Sequence, residues 1–352
     1  MGLFSERQCL GVDIGQSSVK MVEAELRRGR IHVRRFGMVA LPTETIVQGQ
    51  IINTDAVVNA LKELRGRLKP RQTRVALALP DHQTVMKWAE FPLMTDGEFE
   101  DSLEWEMTEK NLLPYDLTET NFAYQVMRRD QTTAKMEVLL MQIKKETAHD
   151  YTHVLQLAGF KPAIAEPGAV SLFNMFEAVH GFAGDEAMAI VHVGASQTTL
   201  DVVYDGVPRF SRTMQLGGDQ VTDAIQRQLG KPFQEAEAAK IGTEGIEPHE
   251  ITRIVVHEVE RILEEVRRSL VFYGINHPRE VTRFYVTGGS SRLSAFRSAF
   301  QLSFGAPAEV EFLEPFHGAT FDPKADRTFA MENGAVAPVA LGLALRRPND
   351  IS

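Results

Sequence analysis

Apolar residues alternate with polar or small ones over Cys9–Ile14 and again over Val19–Glu23, with Gly15-Gln16-Ser17-Ser18 between them. A period of two turns one face of a strand inward, so the stretch predicts strand, tight turn, strand. Ile31–Val39 predicts a further strand. Over Asp55–Leu68 the period lengthens: Val57, Val58, Leu61, Leu64 and Leu68 fall on one helical face. Lys69-Pro70-Arg71-Gln72 is polar and broken by proline, which marks a boundary.

Residues 73–160 predict an inserted α+β unit. Val75–Leu79, Val85–Phe91, Phe122–Arg128 and Met136–Lys144 read as strands. Glu98–Asn111 reads as an acidic amphipathic helix with Phe99, Leu103 and Met107 inward, and Lys145–Ala158 as a helix stopped by Gly159. A second half opens near Glu186, with strands at Ala187–His192, Thr199–Tyr204 and Pro208–Met214 and a helix at Asp219–Leu229. Glu250–Tyr273 predicts the longest helix, with Val255, Val259, Ile262, Leu263, Val266 and Leu270 inward and Glu264 facing Arg267 and Arg268. Arg283–Val286 is a strand entering Thr287-Gly288-Gly289, and Ala335–Arg346 a short helix of small residues.

One repeat changes this picture. Val12-Asp13-Ile14-Gly15-Gln16-Ser17-Ser18 resembles Val191-His192-Val193-Gly194-Ala195-Ser196-Gln197. Each copy sits in a strand-turn-strand that opens one half of the chain. Two such halves imply two lobes with a cleft between them, and the spacing is far too long for a solenoid.

The totals then exclude several functions. A length of 352 residues suggests two or three units that need no disulfide or structural metal. The single cysteine, Cys9, cannot form an internal disulfide and is read as a packed apolar residue. A net charge of −9 argues against a nucleic-acid binder and against direct adhesion to an anionic membrane. No apolar run is long enough to span a bilayer. Met1–Arg7 lacks the pattern of a signal peptide, and Glu6 breaks the myristoylation pattern. The expectation is a cytoplasmic protein without direct membrane insertion.

A phosphate tail needs backbone N–H donors and turns that no side chain blocks. Gly15 with Gln16, Ser17 and Ser18 offers one such turn, and Gly194 with Ala195, Ser196 and Thr198 a second. Either is also compatible with an ordinary hairpin. Gly217-Gly218-Asp219 precedes a helix, whose first amides are placed to face an anion; Asp219 or Thr222 equally suits a cap. Glu237 and Lys240 stand one helical turn apart, suited to ribose hydroxyls or to a surface ion pair. Gly288-Gly289-Ser290-Ser291-Arg292 ends a strand with two glycines, over which a flat ring can lie with the Arg292 guanidinium stacked on it.

The order of these elements resembles the series of the actin, sugar kinase and heat-shock chaperone superfamily. Asp13 followed seven residues later by Lys20 matches the first phosphate loop of actin. Within that superfamily the chain is similar over nearly its whole length to the PilM family of type IV pilus assembly proteins, in the FtsA/PilM branch. The stretches that carry the likeness are Gly11–Glu23, Gly194–Leu200, Gly217–Ile225, Leu112-Leu113-Pro114-Tyr115 and Leu155–Pro162. FtsA usually ends in an amphipathic membrane helix, and Ala344–Ser352 is too short and polar for one.

The resemblance implies an α/β, two-lobed actin-like ATPase fold of duplicated ribonuclease-H-like domains, with a small α+β subdomain inserted in the first lobe. Residues 1–72 and 161–186 would form the first lobe core, 73–160 the partner-binding insertion and 187–352 the second lobe. Within the second lobe, 230–280 would be a helical subdomain, and the C-terminal helix would pack back toward the first lobe. ATP or ADP would lie in the cleft. The expected partners are a short cytoplasmic peptide of a PilN-like inner-membrane protein and other pilus machine components, with self-association open and no nucleic acid. The protein would sit at the inner membrane through those partners.

One position departs from the family. His192 stands where the second phosphate loop usually begins with Asp. Asp13 alone would then hold Mg²⁺, through water, because imidazole is a poor ligand for a hard cation. A charged His192 would repel the metal, whereas a packed His192 would be inert. Weak or absent hydrolysis is expected. Asp13, Glu23 and Asp201 are catalytic-base candidates by chemistry alone. An FtsA-like filament and a small-molecule kinase are the competing functions.

Overall fold

The computed structural model describes residues 8–110, 112–182, 186–242 and 248–348. The expectations for Met1–Arg7, Asn111 and Asn349–Ser352 lie outside these residues. β1 (Leu10–Ile14), β2 (Ser18–Arg27) and β3 (Arg30–Ala40) form an antiparallel meander. After the small hairpin of β4 (Ile46–Val47) and β5 (Gln50–Ile51), α1 (Thr54–Leu68) leads into β6 (Arg74–Leu79), parallel to β1. Asn53 caps α1, its side-chain oxygen accepting from the Ala56 N–H at 3.0 Å, and Leu61 and Leu64 are fully buried beneath it. Each such leucine contributes about 1.5–3 kcal/mol.

The chain then leaves this sheet. β7 (Thr84–Pro92), α2 (Asp96–Glu109), β8 (Thr120–Asp130) and β9 (Lys135–Lys144) make a three-stranded antiparallel sheet, ordered β7-β9-β8. Phe99, Leu103 and Met107 of α2 bury against Phe91, Met136, Val138 and Leu140. α3 (Lys145–Leu157) returns to β10 (Lys161–Pro167), which pairs parallel to β6. The sequence expectation placed β6 and α3 in the inserted unit. β6 belongs to the first sheet, and Ala148, Tyr151, Val154 and Leu155 of α3 join its core, so the strands and helix that stand apart lie within 84–144. An apolar strand reads the same in either sheet.

α4 (Gly168–Val179) crosses to the second half, where β11 (Ala187–Val193), β12 (Thr198–Tyr204) and β13 (Val207–Met214) form another antiparallel meander. α5 (Gly218–Leu229), α6 (Phe233–Lys240) and α7 (Pro248–Asn276) follow. β14 (Val281–Thr287) pairs parallel to β11, and after α8 (Ser294–Phe304), β15 (Glu309–Phe312) pairs parallel to β14. β16 (Thr320–Phe321) adds to β3, and α9 (Arg327–Asn333) and α10 (Pro338–Ala344) complete the described chain. Arg268 pairs with Glu264 at 2.5 Å as the helical spacing predicts, but Arg267 instead donates to Ser303 Oγ on α8 at 2.8 Å. A tertiary acceptor has displaced the local one.

The two large sheets run β10-β6-β1-β2-β3-β16 and β15-β14-β11-β12-β13. Each contains a three-stranded meander extended on one side by two parallel strands, with β16 added at the far edge of the first, so the short sequence repeat grows into a repeat of topology. Between them lies one shared core. Leu172, Met175 and Phe176 of α4 and Leu341 of α10 pack with Val22 and Val33 of the first sheet and with Ile190 and Val203 of the second. Two glycines permit that closeness: a Cβ on Gly11 would meet the Ala340 carbonyl, and one on Gly342 the Ser171 carbonyl. Among the described residues no helix is long and apolar enough to cross a membrane.

Candidate functional site

The turn after β1 is closed by the Gly15 N–H donating to the Ser18 carbonyl at 3.1 Å, and the turn after β11 by Gly194 donating to Gln197 at 2.9 Å. The two turns face each other across the lobes. Between them lies a cavity of about 110 Å³ whose walls include Asp13, Gly15, Gln16, Ser17, Lys20, Gly194, Ala195 and Ser196. Strand register sets Asp13 opposite Lys20, and their charged ends lie 3.2 Å apart. A Cβ on Gly15 would stand 2.8 Å from Lys20 Nζ, so glycine keeps the ammonium accessible. Ser18 and Thr198 are buried at strand starts instead, Thr198 donating to the Leu216 carbonyl at 2.7 Å.

The third glycine motif behaves differently from its expectation. The Gly217 N–H donates to Gln220 Oε1 at 2.6 Å, Gly218 to the Gly194 carbonyl at 3.0 Å and Asp219 to the Ala195 carbonyl at 2.7 Å. These amides brace the second turn rather than facing an anion. A Cβ on Gly217 would lie 2.5 Å from the Ala195 carbonyl oxygen, which explains the glycine. Burial lifts the Asp219 carboxyl above its ordinary range, against the pull of Lys240, and it accepts from Gln16 Nε2 of the other lobe at 3.2 Å.

Glu237 and Lys240 form the ion pair that their spacing allows, at 2.6 Å, and both reach Thr222 Oγ1, at 2.6 and 2.8 Å. Lys240 also lines a second, larger cavity of about 740 Å³ with Gly242, Val255, Gly289, Arg292 and Leu293. Gly288 has φ 100°, which only glycine adopts freely, and a Cβ there would strike the Val193 backbone. Ser290 Oγ donates to the Gly194 carbonyl at 3.0 Å, tying this loop to the second phosphate-like turn. Arg292 is exposed and donates to the Glu332 carbonyl while lining the larger cavity.

His192 lines the small cavity, and its Nδ1 is buried without a hydrogen-bond partner. Burial pushes its pKa down to about 4, despite the nearby charge of Asp13. Burial thus favours the neutral ring, the packed alternative of the two. Among the described residues no group of three or more His, Cys, Asp or Glu side chains could hold a metal ion. Asp13 is the one expected carboxylate present in this cavity. Glu23 is buried elsewhere, accepting from the Arg71 N–H at 3.1 Å, and Asp201 lines a different pocket.

Sequence reasoning missed Asp81 and His82. They follow β6 in Pro80-Asp81-His82-Gln83, which reads as an ordinary polar turn. Here Asp81 lines the small cavity and accepts from the Ala169 N–H at the start of α4 at 2.9 Å. Burial raises its pKa to about 6, and the charge of Asp13 adds to the rise. His82 Nδ1 lies 3.1 Å from Gln197 Oε1 across the lobes. The signal that could have found them is position, since each directly follows a strand parallel to β1.

A separate groove of about 500 Å³ runs behind the cleft. Met86, Trp88, Phe122 and Met141 of the three-stranded sheet form one wall, and Glu166, Phe173 and Asn174 of the first lobe another. The tip of the β12–β13 hairpin, with Gly206, Val207 and Pro208, closes the third, and Asp201 and Ser211 line the groove farther along the same two strands. Trp88 Nε1 donates to the Pro208 carbonyl at 2.7 Å, and Arg209 pairs with Glu137.

Comparison with known proteins agrees with this geometry. FtsA from Streptococcus pneumoniae serotype 2 (strain D39) is 22% identical over 306 residues, covering 74% of this chain and 66% of that protein. FtsA from Enterococcus hirae is 23% identical over 256 residues, covering 66% of this chain and 57% of that one. The chain thus spans 57–66% of the length of these curated relatives. The structure of a PilM-PilN type IV pilus biogenesis complex superposes with a TM-score of 0.83 at 23% identity, over 96% of this chain and 98% of that one. The ethanolamine utilization protein EutJ from Carboxydothermus hydrogenoformans gives 0.59 at 15% identity, over 98% and 91%. These likenesses establish an actin-like ATPase fold. The family described as type IV pilus assembly protein PilM matches residues 11–348, from the glycine of β1 to just past α10, and the chain belongs to that family.

Proposed function

We propose that this protein holds a nucleotide in the cleft and a short cytoplasmic peptide of a PilN-like membrane protein in the groove, and so couples the inner face of a pilus machine to its membrane subcomplex. The observation that carries this reading is the groove, whose walls come from the inserted sheet, the first lobe and the second lobe together. An apolar, three-sided slot with few polar groups suits an extended peptide. A small-molecule kinase would need a substrate pocket beside the transferred phosphate, and the cavity there is only about 110 Å³.

In the cleft, the turns at Gly15–Ser17 and Gly194–Ser196 would cradle the phosphates, with Lys20 beside them. Glu237 and Lys240 would meet the ribose, and Gly288, Gly289 and Arg292 the base. Gly217, Gly218 and Asp219 would act indirectly, by bracing the second turn. A magnesium ion would be held through water by Asp13, supplying charge neutralisation at the phosphates. The donor set fits a nucleotide better than it fits the metal, because neutral His192 offers no hard oxygen. In this reading the first lobe takes residues up to β6 together with α3, β10 and α4, the partner-binding unit lies within 84–144, and the second lobe follows from β11.

Two titrations test the reading. One uses fluorescent ATP, with and without Mg²⁺. The other uses a synthetic peptide of the cytoplasmic segment of the PilN-type protein from the same genome. Micromolar binding of both, with peptide binding weakened at least tenfold by Phe122→Ala, supports it. Peptide binding that ignores Phe122→Ala and Met86→Ala would sink the groove assignment.

A further inference from the structure

The groove is mostly apolar, yet its floor holds a buried carboxyl that nothing in the fold explains. Asp201 on β12 is 3% exposed, and Ser211 stands directly opposite it on β13. Asp201 Oδ2 and Ser211 Oγ are buried without a well-formed hydrogen bond, the facing Ser211 hydroxyl being close enough only to temper the effect of burial on the Asp201 carboxyl. Asp81 lies close enough to Asp201 for its charge to lift the Asp201 pKa further, after burial has raised it. The groove's other carboxylates are Glu166, which engages Arg346, Ser171 and Asn174, and Glu177. Among the described residues Arg346 is the one basic side chain that lines it.

We infer that Asp201 and Ser211 are the specificity-determining polar point of the groove, and that the segment bound there presents a lysine or arginine side chain to them from an otherwise apolar stretch. This rests on the peptide-groove reading above and adds the chemistry of its occupant. An acidic lining with an unpartnered buried oxygen accepts a cation or a donor, and rejects an acidic residue. Apolar walls on either side hold the neighbouring residues of the segment. A donor placed between Asp201 Oδ2 and Ser211 Oγ satisfies both atoms at once.

The experiment is a double-mutant cycle by isothermal titration on the full chain. The probe is the same PilN-type peptide, with each lysine and arginine replaced in turn by norleucine. Against wild type, one replacement weakens binding at least tenfold. Against Asp201→Asn that same replacement costs less than twofold, and Ser211→Ala shows an intermediate cost. Should Asp201→Asn fail to fold, Ser211→Ala carries the cycle alone. Equal costs in wild type and variants, or coupling to a neutral amide position instead, would overturn the inference. If Phe122→Ala still abolishes binding in that case, the groove stands and only its polar point is lost. If wild type ignores the unmodified peptide, both readings fall.

Discussion

The imidazole of His82 meets the side-chain carbonyl of Gln197 at 3.1 Å, joining the end of β6 in one lobe to the β11–β12 turn in the other. Gln16 and Asp219 make a second such bond at 3.2 Å. Both cross the cleft beside the turns proposed to hold phosphate. Removing one cross-lobe bond by Gln197→Ala should cost about 0.5–1.5 kcal/mol, read from urea unfolding. The double variant with Gln16→Ala should be additive within about 0.5 kcal/mol if the two bonds act separately. A non-additive result would show that they close the cleft as one unit.

Asp81 and His192 line one cavity and respond to acid in opposite directions. The Asp81 pKa is raised from 3.8 to about 6, so its share of stability is complete below pH 3.8 and is lost as pH climbs through 6. The His192 pKa is lowered from 6.5 to about 4, so its share is complete above pH 6.5 and is lost as pH drops through 4. Each shift is worth up to about 3 kcal/mol. Between pH 6.5 and 4 the two largely offset. His192→Gln should therefore gain stability on acidification relative to wild type, and Asp81→Asn should lose it. The comparison between variants removes the background of other carboxyls, including raised Asp201 and Asp219. Parallel pH profiles for all three proteins would contradict this.

How much of this was legible beforehand depends on where the information lies. Strands β1, β2, β11 and β12 and the Gly15 and Gly194 turns were legible because alternation and glycine act locally. α4 was not, because it is buried against both sheets and so lacks the one-sided pattern of a surface helix. Asp81 was hidden for a related reason: its importance comes from the field of Asp13 and the amide of Ala169, both distant in sequence. The partners of the Gly217-Gly218 amides were not legible, since only tertiary structure reveals the carbonyls that those amides meet.

His192→Asp should install a second oxygen ligand beside Asp13. Nucleotide binding in the wild type should change less than threefold on adding Mg²⁺, and in the variant at least tenfold. Fluorescent ATP titrations with and without EDTA give both numbers. Equal metal dependence in the two proteins would mean that position 192 does not govern the ion.

Gly342→Ala should be strongly destabilising, because the added carbon meets the Ser171 carbonyl where α10 crosses α4. Overpacking of this kind costs about 1–3 kcal/mol. Gly66→Ala on α1 is the control, since a Cβ there meets nothing within 4 Å, and it should be neutral or stabilising. The melting temperature should fall for Gly342→Ala and hold or rise for Gly66→Ala.

The slab of apolar side chains shared by α4, α10 and both sheets has a mechanical consequence. A helix gripped on two sides cannot be released by one sheet without baring Leu172, Met175 and Phe176 to water, so the lobes cannot part like the halves of a shell. A roll about that shared core would keep those side chains covered. The β12–β13 hairpin lines the groove and the β11–β12 turn lines the cleft, so any such roll would be felt in both openings.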